Sequence, residues 1–127
     1  MRILLVDDHA RFREVARAVL QDDGYTVVGE AGSAREALDW LATGDAELVL
    51  LDLHLPDADG LETARRIAAG DDPPAVVVIS SRDVADVGCD RVRAAGASGF
   101  VGKLALGGPA LRGVLARAAG RDLRPCA

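Results

Sequence analysis

The chain has 127 residues, a formal net charge of −5 and an aromatic content of 3%. This length suits one domain with its own hydrophobic core and no second folded module. The acidic balance argues against a nucleic-acid surface, because such domains carry a clustered basic face and aromatic residues that stack on bases. No apolar stretch reaches the length of a signal-peptide core or a membrane span, so we expect a soluble, cytoplasmic protein that does not bind membranes.

Five short apolar segments alternate with segments of helical periodicity, which is typical of βαβ units around a parallel sheet. Strands are predicted at residues 2–6, 25–29, 47–51, 75–79 and 99–102. Unbroken apolar runs among them indicate strands that are buried on both faces. The sequence therefore predicts a doubly wound α/β domain over residues 1–119, followed by a polar tail or linker root over residues 120–127.

The first three predicted helices have clear boundary signals. The first ends at Gly24, which is a predicted terminal cap. The second begins at a capping box formed by Ser33 and Glu36, and the third extends from about Asp59 to Gly70. The apolar face of the first helix is predicted to consist of Phe12, Val15, Ala16, Val19 and Leu20.

Two further helices are predicted in the last third of the chain. The fourth covers residues 84–95 and is the least regular, with Gly88 inside it. The fifth has an apolar face formed by Leu111, Val114, Leu115 and Ala118.

Polar residues follow four of the predicted strands. Asp7 and Asp8 follow the first strand, Asp52 the third, Ser80 the fourth and Lys103 the fifth. Because the carboxyl ends of parallel strands meet at one edge, where open α/β sheets place their ligands, we expect these residues to lie together. Crowded carboxylates repel unless a cation is bound, and a hard cation that takes oxygen ligands, such as Mg²⁺, is the natural candidate.

The order of these residues resembles the receiver domain of two-component response regulators. The resemblance covers about residues 2–118 and rests on motifs that occur in the family's order and spacing. These motifs are Val6-Asp7-Asp8-His9, Leu51-Asp52-Leu53-His54-Leu55-Pro56-Asp57-Ala58-Asp59-Gly60, Ile79-Ser80-Ser81 and Gly96-Ala97-Ser98-Gly99-Phe100-Val101-Gly102-Lys103.

The resemblance implies a flavodoxin-like fold with five helices and a parallel sheet of order 2-1-3-4-5. It also implies that a sensor histidine kinase transfers a phosphoryl group to Asp52, and that Lys103 and Ser80 contact the phosphoryl oxygens. Such a domain catalyses only its own phosphorylation and dephosphorylation, so it is not an enzyme in the usual sense. The implied Mg²⁺ ligands are Asp7, Asp8, Asp52 and the backbone carbonyl of His54.

The same resemblance implies a switch and an output. Ser80 and an aromatic residue, here Phe100, would reshape the surface of the fourth helix, fifth strand and fifth helix, through which a homodimer could also form. His54 and Arg82 match positions that influence the lifetime of the acyl phosphate. The motifs look most like receivers of LuxR-type helix-turn-helix regulators, so the chain is either the receiver of a longer transcription factor or a free-standing receiver that binds a partner protein.

Two other functions remain open at this point. A pseudo-receiver would signal through binding alone, and Leu104 keeps this alternative open because the family often has a proline there. A haloacid-dehalogenase phosphatase also uses an aspartate nucleophile, but it carries an acid at the position of His54. His9 and His54 are not credible zinc ligands as a pair, because they lack helical spacing and cysteine partners. His9 is instead expected near the acids as a polar neighbour.

Overall fold

The computed structural model describes residues 1–81, 88–103 and 113, and at residue 89 the backbone alone. Within these residues, five parallel strands form one sheet in the order β2-β1-β3-β4-β5, which confirms the predicted topology. The strands are β1 (Arg2–Val6), β2 (Thr26–Ala31), β3 (Leu48–Asp52), β4 (Ala75–Ser80) and β5 (Gly99–Gly102). The described helices are α1 (Ala10–Asp22), α2 (Ala34–Thr43), α3 (Gly60–Ala68) and α4 (Cys89–Ala94).

The central strands are buried on both faces, as their unbroken apolar runs predict. Alternate side chains of β1 and β3, such as Leu4 and Leu51, pack with α2, α3 and α4 on one face of the sheet. Their neighbours, such as Leu5 and Leu50, pack with α1 on the other face. The layered packing places the carboxyl ends of the strands along one accessible edge.

For helix α1, the predicted cap at Gly24 is confirmed, whereas the predicted buried face is wrong at one residue. Gly24 follows the helix with φ of 93°, and its backbone N–H donates to the carbonyl of Gln21, as expected for a terminal cap. Ala16 and Leu20 are buried against the sheet, but Val15 is 55% exposed. The prediction that Val15 belongs to the buried face is therefore wrong, because the described sheet covers a narrower stripe of α1 that includes Ala16 and Leu20.

The predicted starts of α2 and α3 are confirmed. The Ser33 hydroxyl accepts a hydrogen bond from the Glu36 N–H at 3.1 Å, and the Glu36 carboxylate returns to the Gly32 N–H at 2.8 Å. The Asp59 carboxylate accepts from the Leu61 N–H at 2.8 Å and so caps α3.

Helix α4 begins at Cys89. Gly88, predicted to lie inside a helix over residues 84–95, has φ of 95° and stands at the helix N-cap, so the prediction is wrong at this residue. A left-handed backbone cannot continue a right-handed helix. Residues 84–87 lie outside the described part of the chain. The fifth predicted helix, the tail over residues 120–127, Arg82 and Leu104 lie outside the described residues. None of the helices in the described part of the chain is long and apolar enough to cross a bilayer.

Candidate functional site

The register of the parallel strands brings four polar side chains to one edge of the sheet. Val6 pairs with Leu51, Asp52 with Ile79, and Ser80 with Gly102, so residues at or just beyond each strand end lie side by side. Asp7 and Ser80 are fully buried and Asp52 is nearly so. The edge is therefore a partly dehydrated pocket in which charges interact strongly.

Three carboxylates and one imidazole converge in this pocket. Asp7, Asp8, His9 and Asp52 each offer one ligand atom, and these atoms all lie within 4.8 Å of one another. Asp8 and His9 are exposed and form the mouth, whereas Asp7 and Asp52 form the floor. Oδ2 of Asp7 is buried and faces the ammonium of Lys103.

Lys103 places a positive charge against the floor of the pocket. Its Nζ lies 2.6 Å from Oδ2 of Asp7 and 3.4 Å from Oδ2 of Asp52. The ammonium also lies 4.6 Å from the ring centroid of Phe12, within cation–π range. Burial alone would lower the pKa of Lys103, but contacts with Asp7 and Asp52 outweigh it and raise the pKa. Lys103 is therefore a fixed cation.

The negative charge of Asp52 is destabilised by its surroundings, and Lys103 offsets this destabilisation only in part. Burial and the neighbouring charge of Asp7 raise the pKa of Asp52 above its ordinary value. A hydrogen bond from the His54 N–H, at 3.3 Å, and the charge of Lys103 oppose this rise. The ionised carboxylate is thus held in a site that favours a further positive charge.

The loop after Asp52 is folded tightly against β3. His54 and Asp59 form an isolated bridge, and the Gly60 N–H donates to the Leu53 carbonyl at 2.9 Å. The loop and the mouth acid Asp8 line a cavity of about 420 Å³ beside the carboxylates. The side chain of His54 is exposed, and His54 lines this cavity.

Two of the other predicted site residues lie in the described sheet. Ser80 ends β4 and is fully buried. Phe100 lies on β5 opposite Val78, is partly buried and packs against the core on the side of α2 and α3.

Sequence reasoning missed two residues that support this site. Arg13 of α1 donates through Nη1 to the backbone carbonyl of Asp7 and through Nε to Glu30 at 3.2 Å. Asp57 accepts hydrogen bonds from the backbone N–H groups of Ala34 and Arg35, at 2.9 and 3.0 Å, and so caps α2 from the loop after β3. No local pattern identifies the contact of Arg13 with Glu30, which is 17 residues away, or that of Asp57 with Ala34 and Arg35, which are 23 and 22 residues away.

We expect Asp57→Ala to lower the melting temperature by a few degrees at neutral pH, because it removes two capping hydrogen bonds. These bonds hold the pKa of Asp57 below its ordinary value of 3.8. The stabilisation is therefore present above that value and is lost as the pH falls through the lowered folded-state pKa. Thermal unfolding of wild type and variant between pH 2 and 7 should show curves that converge at low pH. The exposed loop variant Asp71→Ala is the control, and an equal loss in both variants would contradict the capping role.

A sequence profile of the response regulator receiver domain matches residues 3–106 of the chain. The chain belongs to this family. The receiver is 35% identical over 104 residues to the transcriptional regulatory protein PdtaR of Mycobacterium tuberculosis, covering 80% of this chain and 49% of that protein. It is 34% identical over 104 residues to the response regulator UvrY of Escherichia coli, covering 81% of this chain and 47% of UvrY.

Comparison with solved structures also identifies the receiver fold. The signal receiver domain of the putative response regulator NarL from Mycobacterium tuberculosis superposes with a TM-score of 0.83 and 31% identity, over 94% of this chain and 97% of that one. The receiver spans a quarter to about half of the length of the curated relatives first matched.

Proposed function

We propose that this receiver accepts a phosphoryl group on Asp52 from the phosphohistidine of a sensor kinase. The proposal rests on one observation above all: the nearly buried Asp52 carboxylate lies 3.4 Å from the Lys103 ammonium and beside a second buried acid, Asp7. In the transfer, a carboxylate oxygen of Asp52 bonds to phosphorus as the bond between phosphorus and the histidine nitrogen breaks. The product is an acyl phosphate, and the kinase histidine leaves with the bonding electron pair.

The pocket suits a hard divalent cation. Carboxylate and carbonyl oxygens are the ligands that Mg²⁺ prefers, and the carboxylates of Asp7, Asp8 and Asp52 each offer an oxygen within 4.8 Å of the others. We assign the ion to Asp7, Asp8, Asp52 and the backbone carbonyl of His54. Bound there, it would neutralise negative charge on the phosphoryl oxygens.

The remaining residues orient and stabilise the phosphoryl group. Lys103 donates to one phosphoryl oxygen as a point charge, and the Ser80 hydroxyl donates to another. Phosphoryl transfer needs mainly positioning and charge stabilisation, so we assign no separate general base. His54, at the solvent side of Asp52, and Arg82 are assigned to the control of hydrolysis of the acyl phosphate.

Phosphorylation would reach an output through Ser80 and Phe100. As the hydroxyl moves toward the new group, Phe100 turns inward and the surface of the fourth helix, fifth strand and fifth helix changes. Relatives include proteins described as transcriptional regulators, so control of transcription through an output domain or partner is the proposed consequence. Residues 1–119 would form the receiver and residues 120–127 a tail or linker root, with a homodimer through the same surface as one form of the output.

The test is incubation with Mg²⁺ and acetyl phosphate, followed by intact mass measurement. We expect one added phosphoryl group in the wild type and none in Asp52→Asn or in the presence of a chelator. The Asp71→Ala variant should be labelled like the wild type, because this exposed loop residue lies outside the pocket. Absence of any adduct under excess donor would favour a pseudo-receiver, and steady turnover of diverse phosphate esters would favour a phosphatase.

A further inference from the structure

The ring of Phe12 has a second contact besides its place in the core. It is partly buried and packs against the apolar side chains between α1 and the sheet, as its position on the apolar face of the first helix predicts. The ammonium of Lys103 also lies over the ring, with Nζ 4.6 Å from the ring centroid. Core packing alone does not require this contact with a charge.

The surroundings of the ammonium make the ring contact effective. Nζ of Lys103 lies 2.6 Å from Oδ2 of Asp7 and 3.4 Å from Oδ2 of Asp52. The side chain is only 15% exposed, so little water remains to hydrate the charge. Cation–π attraction is stronger for a desolvated cation, and here it uses neither carboxylate oxygen. The ring contact therefore does not compete with other partners of the acids.

Phe12 is fixed to the same segment of chain as Asp7. Helix α1 begins at Ala10, so Phe12 lies in its first turn. The Arg13 N–H donates to the His9 carbonyl at 3.1 Å, and the Arg13 guanidinium donates to the Asp7 carbonyl. These bonds tie the first turn of α1 to the end of β1, so the ring keeps a set place beside the pocket.

A lysine needs such a support to act at one point. Its charge is carried on a flexible four-carbon stem, so the side chain does not orient itself. We propose that Phe12 is a positioning residue, whose ring face holds the Lys103 ammonium at the pocket and so aims it at the phosphoryl group on Asp52. This inference rests on the proposed function, because the charge that Phe12 orients is the one assigned to a phosphoryl oxygen.

The ring contact can be measured without any phosphoryl donor. Lys103 is the single lysine of the chain, so isotopically labelled lysine gives one set of side-chain NMR signals. Protons over the face of an aromatic ring are shifted upfield, and we expect this shift at the ammonium end of Lys103. Phe12→Leu should remove the shift, and Phe12→Tyr should keep it. The control Tyr25→Leu, which removes a ring from the same core cluster beside the start of β2, should leave the signals in place.

The rate of labelling by acetyl phosphate at saturating Mg²⁺ tests the consequence. We expect Phe12→Leu to slow labelling by about five-fold or more, and Phe12→Tyr to restore the rate to within about two-fold of wild type. Mono-, di- and trifluorinated phenylalanine at position 12 weaken the negative ring face at nearly constant size, so the logarithm of the rate should fall stepwise along the series. Mg²⁺ affinity from titration calorimetry should stay within about two-fold, because every variant keeps the carboxylates and the charge of Lys103.

The outcomes separate this inference from the proposed function. If Phe12→Leu leaves the Lys103 signals or the labelling rate unchanged, the inference is overturned, while phosphorylation of Asp52 still stands. A slower Phe12→Leu variant with no trend in the fluorinated series also overturns it, because ring volume would then be sufficient. If Phe12→Leu does not fold, the fluorinated series decides, since it keeps the ring in place. If the wild type takes no phosphoryl group, the proposed function fails and the inference fails with it.

Discussion

Replacing Lys103 by Met should lower the free energy of unfolding by about 3 kcal/mol at neutral pH without Mg²⁺. The ammonium lies 2.6 Å from Asp7 and 3.4 Å from Asp52, and both side chains are almost completely buried. Without the cation, two buried carboxylates face each other and must either repel or bind a proton. The loss should therefore shrink as the pH falls, and Mg²⁺ should restore part of the stability.

Urea unfolding can be followed through Trp40, the single tryptophan of the chain, because it packs on the backbone of β2 at Gly29. The control is Lys103→Arg, which keeps the charge and should lose much less stability. Equal stability of Lys103→Met and wild type at both neutral and acidic pH would contradict the ion-pair argument.

Replacing the acid of the same pair, Asp52, by Asn should stabilise the folded receiver at neutral pH. Burial and the charge of Asp7 raise the pKa of Asp52, so the folded state favours its protonated form and stability falls as the pH rises through that pKa. Asp52→Asn removes this cost and leaves Lys103 paired with Asp7. At neutral pH the variant should melt a few degrees above the wild type even though it lacks the proposed phosphoryl acceptor. Stability would then be traded for function at this residue.

Gly60→Ala should both destabilise the receiver and slow its phosphorylation. A Cβ atom at Gly60 would collide with the carbonyl oxygen of Asp52 and lie 2.5 Å from the Cα of Leu53. Both contacts are with backbone atoms, and Leu53 is held by hydrogen bonds to Ile79 and Gly60. The loop can therefore move away from a new Cβ atom only at a cost in free energy. We expect a loss of about 2–3 kcal/mol. Because a displacement of about 1 Å costs up to about 100-fold in rate, labelling by acetyl phosphate should slow by at least about ten-fold.

A matched glycine at the other end of α3 separates this effect from a general response to added bulk. At Gly70 the nearest atom to a new Cβ, the Ile67 carbonyl oxygen, is 3.5 Å away, which is an ordinary contact. Gly70→Ala should therefore change stability by less than about 0.5 kcal/mol and leave labelling unchanged. If the two variants behave alike in urea unfolding and in labelling, close packing at Gly60 does not position Asp52.

Local sequence alone was enough to predict the sheet and the place of the acids. Apolar runs such as Ile3–Val6 indicate a strand buried on both faces, and the observed strand bounds differ from the predicted ones by no more than two residues. Asp7 and Asp52 each come directly at the carboxyl end of such a run, so the parallel arrangement brings them together. Periodicity is encoded by neighbours in the chain, which is why the elements can be predicted from it, whereas the strand order was implied by the resemblance to receivers.

The tertiary structure decided which distant groups meet. The capping of α2 by Asp57 and the ion pair of Arg13 with Glu30 each join residues of separate elements. The exposure of Val15 likewise depends on how much of α1 the sheet covers. These contacts join residues through space at separations where the sequence carries no periodic signal, so only the assembled fold determines them.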